Sequence, residues 1–461
     1  MIRSLPAARP DARSPDVTRW SRVVIGMLTL AAFGPYLATG VRTEQVVVYA
    51  VAVASVALGL WTRIRLTGTA KWVAAGYLAL IGIAGLGAAF PLQNHTLYSN
   101  GSVIAGLDNL LLPVAVVMVV GAMVGAGADP ARLVRTVCVC LVWTMVVNAM
   151  LAVYSASSDD SELLARFRLF GDEESVADRA EQLGRYSGII NQPAEAGLLY
   201  SVALLAALYL YQQQVGRLTV TLLALALGGV LCVSKVFFLV GAPVAIAYAL
   251  LTAGRTRRLA AVAAATAGAW VAADTYLDQW DGRDFALRLL PGSGGDQLGL
   301  YTAGRVGEQS TLQHVVDVVT SASPAFGVGV GGLKMAYDNG WVEALVIAGF
   351  LGVALHTAVL AALLVGWFRT RSRRPESALT GGLVVVVIGA SAGLPALTAN
   401  RAATVVWLLL GLLLLARRSD QPGTWWQHFG QRHAYGRSSP QMSYGQSLRG
   451  RTFERMPAQN R

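Results

Sequence analysis

Residues 218–253 read LTVTLLALALGGVLCVSKVFFLVGAPVAIAYALLTA. As one helix at 1.5 Å per residue this run would reach roughly 54 Å, well beyond the ~30 Å hydrocarbon core of a bilayer. It would also leave Lys235 in mid-membrane, at a cost of roughly 2.5–3.5 kcal/mol. Two helices, Leu218 to Val233 and Val236 to Ala253, with Ser234-Lys235 at the turn, remove both difficulties. The sequence therefore predicts a helical hairpin here, and the same weighing of length against charge organises the rest of the chain.

Outward from that hairpin, apolar runs near the ~20 residues needed to span a bilayer recur in both directions. They cover Val23 to Thr39, Gln45 to Trp61, Trp72 to Phe90, Val103 to Gly127, Leu133 to Ser155 and Gly188 to Tyr211 before it. After it come Leu259 to Ala273, Trp341 to Trp367, Leu379 to Thr398 and Ala402 to Ala416. With 54% hydrophobic and only 14% charged residues, the chain is too apolar for a soluble domain of its size. The expected fold class is an all-α polytopic membrane protein of about twelve transmembrane helices.

The net charge of +11 would point to nucleic acid in a soluble protein. Here the basic residues flank apolar runs and read as topology signals instead, with no nucleic-acid partner. Arg19 and Arg22 precede the first run, Arg63, Arg65 and Lys71 follow the second, and Arg255, Arg257 and Arg258 follow the eighth. Arg369 to Arg374 and Arg417-Arg418 continue the pattern. These ends belong on one face, the cytoplasm, with both termini there. Residues 1–22 then form a cytoplasmic segment, residues 23–416 the membrane domain, and residues 417–461 a disordered basic tail. Two long loops, 156–187 and 274–340, fall on the opposite face, the second between helices nine and ten. No cleaved signal peptide is expected, since the first 22 residues are polar and Pro/Arg-rich. Cys138, Cys140 and Cys232 lie in apolar runs and offer no disulfide framework.

Function is expected in the long loops. Leu163, Leu164, Phe167 and Phe170 recur at helical spacing, as do Leu312, Val315, Val316 and Val319, and each set predicts a short amphipathic helix on the bilayer surface. Arg185 stands at the entrance of the sixth run and Arg305 precedes the second amphipathic segment. Guanidinium forks match phosphate oxygens and offset charge on a departing pyrophosphate, although interfacial arginines commonly serve only as anchors. Lys235 and Lys334 are outer-face lysines in a chain that otherwise uses arginine; the ordinary alternative is a snorkelling anchor. Asn191 and Glu195 sit one turn apart with Pro193 between them to loosen the helix, and an ionisable residue inside a span is a site hypothesis. Gly327-Val-Gly329-Val-Gly331-Gly332 has no surrounding βαβ unit and is no nucleotide loop; its glycines let backbone approach a ligand or a membrane closely, or form a simple turn. Asp338 and Glu343 bracket Trp341, the first an interfacial carboxylate and the second expected to pair with a cation. Asp108, Asn148 and His356 read as helix-packing polar residues, and His314 as a surface histidine.

The order of these features resembles the O-antigen ligase and O-antigen polymerase family of bacterial surface-glycan assembly. The matching elements are Gly184-Arg185-Tyr-Ser-Gly188 running into Asn191-Gln-Pro193, Ser234-Lys235 between helices, Gly304-Arg305, Pro324-Ala-Phe-Gly327-Val-Gly329, Asp338-Asn339 and Gly349-Phe-Leu-Gly352. The family often has Asn-Pro-Asn where this chain has Asn191-Gln-Pro193, and arginine in place of Lys235. Its ligases carry histidine at the position of Asp338, which favours a polymerase.

The resemblance implies a membrane glycosyltransferase of the bacterial cytoplasmic membrane with its active site facing outside. Its donor would be a glycan on undecaprenyl pyrophosphate, its acceptor a sugar hydroxyl, and its partners membrane lipid, a flippase and a chain-length regulator. Arg185, Lys235 and Arg305 would hold the pyrophosphate and Asp338 the acceptor hydroxyl. Asn191, Glu195, Lys334, Gly327 and Gly329 would bind substrate. No metal or cofactor is required when cationic side chains carry the leaving-group charge. A ligase that transfers finished glycan to a lipid, protein or wall acceptor is the alternative. A secondary transporter is less favoured, because the chain shows no repeat of halves and its polar mass lies in one-sided loops.

Overall fold

A computed structural model describes residues 15–38, 40–64, 66, 68–89, 103–158, 162–169, 175–252, 255–276, 280–289, 311–330, 339–369 and 375–416. All belong to one compact unit, Met1–Ala416, while residues 417–461 form a second unit outside the described residues. Helices dominate. They are α1 (Pro15–Ala31), α2 (Thr43–Ala57), α3 (Thr69–Ala89), α4 (Val103–Gly125), α5 (Pro130–Ser157), the short α6 (Glu162–Arg168) and α7 (Val176–Glu181), α8 (Pro193–Leu210) and α9 (Val215–Leu231). A π-helical turn, Phe237–Gly241, leads into α10 (Ala242–Leu251). There follow α11 (Arg255–Tyr276), α12 (Gly282–Arg288), α13 (Thr311–Ala322), α14 (Gly340–Arg369), α15 (Pro375–Ala390) and α16 (Asn400–Ala416). A two-stranded antiparallel ribbon, β1 (Tyr36–Ala38) and β2 (Val41–Arg42), joins α1 to α2.

Every one of the twelve apolar runs holds a helix. By length and composition α3, α4, α5, α8 and α14 can each cross a membrane. The helices α2, α9, α15 and α16, and the segment Phe237–Leu251, are apolar but shorter, and α1 and α11 carry several charges. Large apolar side chains stand on the outside, among them Ile104 at 82% exposure and Val220 at 70%. Such a surface suits hydrocarbon rather than water. This is a helical membrane protein.

The break at Ser234-Lys235 forms as expected, with a helix on either side, but α9 packs on α11, α5 and α8 rather than back on α10. Other boundaries differ, among them the end of α15 at Ala390, short of the predicted Thr398. Pro193 does not loosen the sixth helix; it occupies the first turn of α8, where its missing N–H costs nothing and its fixed φ suits a helix start. Asn191 consequently lies before the helix. The first helix ends at Ala31, short of the predicted Thr39, because Gly34-Pro35 breaks it and the ribbon follows.

Two helices make the centre. In α8 all residues from Glu195 to Leu208 are buried, and in α16 all from Arg401 to Leu413. A helix apolar all round has no solvent face and belongs in the interior. Around them α8 packs on α5, α9 and α15, α16 on α4 and α5, and α3 along α14.

The helix α14 is broken in its first third. Ala348 (φ −143°, ψ 19°) and Gly349 (φ 62°, ψ −155°) leave helical geometry, freeing backbone groups that the glycine segment after α13 satisfies. Val328 N–H donates to Val346 O at 2.7 Å, and Phe350 N–H to Pro324 O at 2.8 Å. A Cβ on Gly327 would lie 2.5 Å from Val346 O, and one on Gly349 would lie 2.4 Å from the carbonyl carbon of Ala325. Gly329 in turn packs on Gly87 of α3. These glycines fit backbone to backbone, and the close approach expected of Gly327 and Gly329 is made to α14 and α3. The dihedrals of Gly349 are open essentially to glycine alone. Gly349→Ala is therefore expected to cost about 1–3 kcal/mol, read as a lower thermal midpoint in detergent. Gly85→Ala, where a Cβ meets open space, should leave that midpoint in place.

The two amphipathic helices form, with Phe170 outside the described residues, and each buries part of its apolar face on protein. Leu164 of α6 is wholly buried while Leu163 is exposed. In α13 Val315 and Val319 pack against Leu345 and Val346 of α14.

Candidate active site

The turn between α9 and the π segment carries several unusual features within a few residues. Gly228 and Gly229 admit the rings of Tyr200 and Phe237, whose atoms lie 2.3 and 2.2 Å from where a Cβ would sit. Val233 has φ 41°, a left-handed conformation that is an outlier for a β-branched residue and costs of order 1–3 kcal/mol. The next side chain, Ser234, lies against Gly197 of α8. Its Oγ is buried with no hydrogen-bond partner among the described residues. Half-buried Lys235 follows, and then the π turn, a feature frequent at functional sites. Strain of this kind persists only where the surroundings over-determine it.

The segment Gly184–Ile190 lies alongside. Tyr186 N–H donates to Leu231 O at 2.9 Å, and the Trp280 indole N–H to Gly184 O at 2.8 Å. Gly184 (φ 68°) abuts Gly282, where any Cβ would collide with backbone at 2.1 Å. Arg185 sets its guanidinium over the Phe285 ring, 5.5 Å from the centroid, and bears electrostatically on Cys232. The segment that carries Arg185 is thus tied to the end of α9, four residues before Lys235.

Beside this turn a set of buried ions ties the connecting segments together. Arg401, at the start of α16 and 4% exposed, donates to Ile189 O at 2.8 Å, to Gly34 O at 3.2 Å and to Phe167 O. Glu195 accepts from the Ala402 N–H at 3.0 Å, a carboxylate at a helix N-terminus. Asn191 accepts from the Ala177 N–H at 3.2 Å, serving α7 in the same way. Both residues therefore make structural contacts between elements. Arg42 pairs with Glu44 and lies 3.9 Å from Asp108, whose carboxylate accepts from Tyr49 Oη at 2.7 Å and from Gln45. Asn148 is wholly buried and bonds Ser187 O, Tyr200 Oη and Ile189 N–H, which is the packing role expected of it.

Arg168, with no exposure, holds the loop before α8 by bonding Gly188 O at 2.9 Å, Asp178 at 2.9 Å and Glu181. For Asp178, burial works to raise the carboxyl pKa. The Ser175 hydroxyl and N–H and the Arg168 guanidinium outweigh burial and hold it below the ordinary value of 3.8. A carboxyl depressed on folding adds stability above its unfolded value and loses it as pH falls through the folded one. Acidification below about pH 4 should therefore loosen α6 and α7, raising their amide exchange, and Asp178→Asn should flatten that dependence.

Among the described residues Glu343 meets no cation: its carboxylate accepts from the Thr398 hydroxyl. The Tyr77 hydroxyl nearby is buried without a hydrogen-bond partner among the described residues. His356 packs edge-on to Trp341, with ring centroids 5.5 Å apart, and His314 is exposed. Asp338, Arg305 and Lys334 lie outside the described residues. Sequence reasoning passed over Arg42, Glu44 and Arg401. Their one signal was charge on the face that the positive-inside pattern leaves poor in cations. Comparison with protein-family models and with curated protein sequences found no match.

Proposed function

We propose that this chain is a membrane glycosyltransferase that polymerises lipid-linked oligosaccharide repeat units on the outer face of the bacterial cytoplasmic membrane. The arrangement proposed with it is twelve spans with both ends of the membrane domain in the cytoplasm. The observation that supports the reading is the contact of the Arg185 segment, through Tyr186 N–H and Leu231 O, with the end of the helix that leads into the strained Val233-Ser234-Lys235 turn. Fixed cations aimed at a departing phosphate stabilise charge as it develops, without reorganisation. In the reaction the acceptor hydroxyl oxygen bonds to the anomeric carbon of the donor glycan as the bond from that carbon to the pyrophosphate oxygen breaks. The hydroxyl proton passes to a carboxylate, for which Asp338 is the candidate, and the polyprenyl pyrophosphate leaves against Arg185, Lys235 and Arg305.

The test is reconstitution with a lipid-linked repeat unit and separation of products by length. A ladder is expected; a single transfer to a different acceptor would mark a ligase instead. Arg185→Ala and Lys235→Ala should each lower turnover by roughly 10²–10³-fold, the usual cost of removing one such donor. Lys235→Arg should keep part of the rate because the charge persists. Full activity in either alanine variant would remove that residue from the mechanism.

A further inference from the structure

A cavity of about 300 Å³ lies between α3, α4 and α16, away from the site above, with Val73, Val117, Met118 and Leu415 among its walls. Those walls are apolar throughout. Tyr77 and Trp407, stacked edge to face at 5.1 Å, also line the cavity. Leu78 lines the cavity yet is 54% exposed, so it opens sideways onto the surface that faces hydrocarbon. From Ala70 to Tyr77 the α3 wall rises roughly 10 Å, enough for a length of alkyl chain.

The mouth differs in chemistry from the walls. Ile64 and Ala70 line it, and their chain neighbours Arg63 and Lys71 are both exposed. Trp61 and Trp72 flank them, exposed as well. Tryptophans with cations at a helix end mark the headgroup level, and a cation there attracts anionic lipid. Water does not fill a cavity that offers it no polar partner.

We propose that this groove is a lipid site that holds one acyl chain of an anionic phospholipid, with the headgroup phosphate between Arg63 and Lys71. The proposal stands independently of the catalytic reading. It is tested by native mass spectrometry of the full chain in detergent, titrated with phosphatidylglycerol and phosphatidylcholine of identical acyl composition. One saturable phosphatidylglycerol adduct is expected, favoured over phosphatidylcholine by about 25-fold at about fivefold per cation. Arg63→Gln with Lys71→Gln should abolish that preference, and Ala74→Phe, which fills the groove, should remove the adduct of either lipid. Equal binding of the two lipids by the unaltered chain would overturn the proposal. Undiminished preference in the double glutamine variant would do so as well, and that variant alters only exposed side chains, so it decides the matter even where Ala74→Phe does not fold.

Discussion

Arg401→Met is expected to lose about 3–5 kcal/mol of stability, the usual cost of breaking a buried ion set by removing one member. The guanidinium satisfies carbonyls from three separate segments, at Gly34, Phe167 and Ile189. Methionine fills a similar volume but leaves those acceptors bare and Glu195 without its nearby cation. The readouts are yield of detergent-stable protein and thermal midpoint. Arg401→Lys should fall between the two, since an ammonium is a point charge that cannot fork to three acceptors. Adding Glu195→Gln to Arg401→Met should restore part of the loss, because the stranded carboxylate is then gone, a coupling visible in a double-mutant cycle. A methionine variant that melts like the unaltered protein would show that Arg401 is not a keystone of this face.

On the polymerase reading, Asp338→Asn should cut turnover by roughly 10²–10⁴-fold, the span expected of a general base, while the lipid-linked donor still binds. Asparagine keeps the size and a hydrogen-bonding oxygen but cannot take the acceptor proton. A structural aspartate would give another pattern, with asparagine tolerated and with bulkier replacements lowering binding and rate together. Donor affinity and single-turnover rate measured on the same variant separate the two. Near-normal turnover would exclude the base.

Some of this molecule is plain in its sequence and some is not, for physical reasons. The break at Lys235 is legible because two independent constraints, bilayer thickness and the cost of a buried ammonium, exclude a single helix. The twelve helices are legible because apolar runs of that length have few other fates. Pro193 misleads, since a proline inside an apolar run reads equally as a kink or a start. The glycines at 327 and 329 mislead differently. Their tight partners, Val346, Gly349 and Gly87, are distant in sequence, so a packing glycine looks the same as one that clears room for a ligand. Arg185 and Lys235 could be named one at a time, but the Tyr186–Leu231 contact between their segments is one that no local pattern encodes. Arg401 is the hardest, because an arginine at the end of an apolar run is the ordinary look of a topological anchor.

The bond between Arg401 and Gly34 joins residues 367 positions apart, and that separation fixes an order of events during synthesis. At ≈ 5–20 residues per second, Gly34 waits on the order of tens of seconds before its partner is made. The turns around Phe167 and Ile189, already joined through Arg168 and Gly188 O, and the turn around Gly34 are made by then but lack their shared guanidinium. The helix α16 acts as a latch. A nascent chain halted before residue 400 would hold the turns at Gly34, Phe167 and Ile189 and still lack the guanidinium that bonds all three.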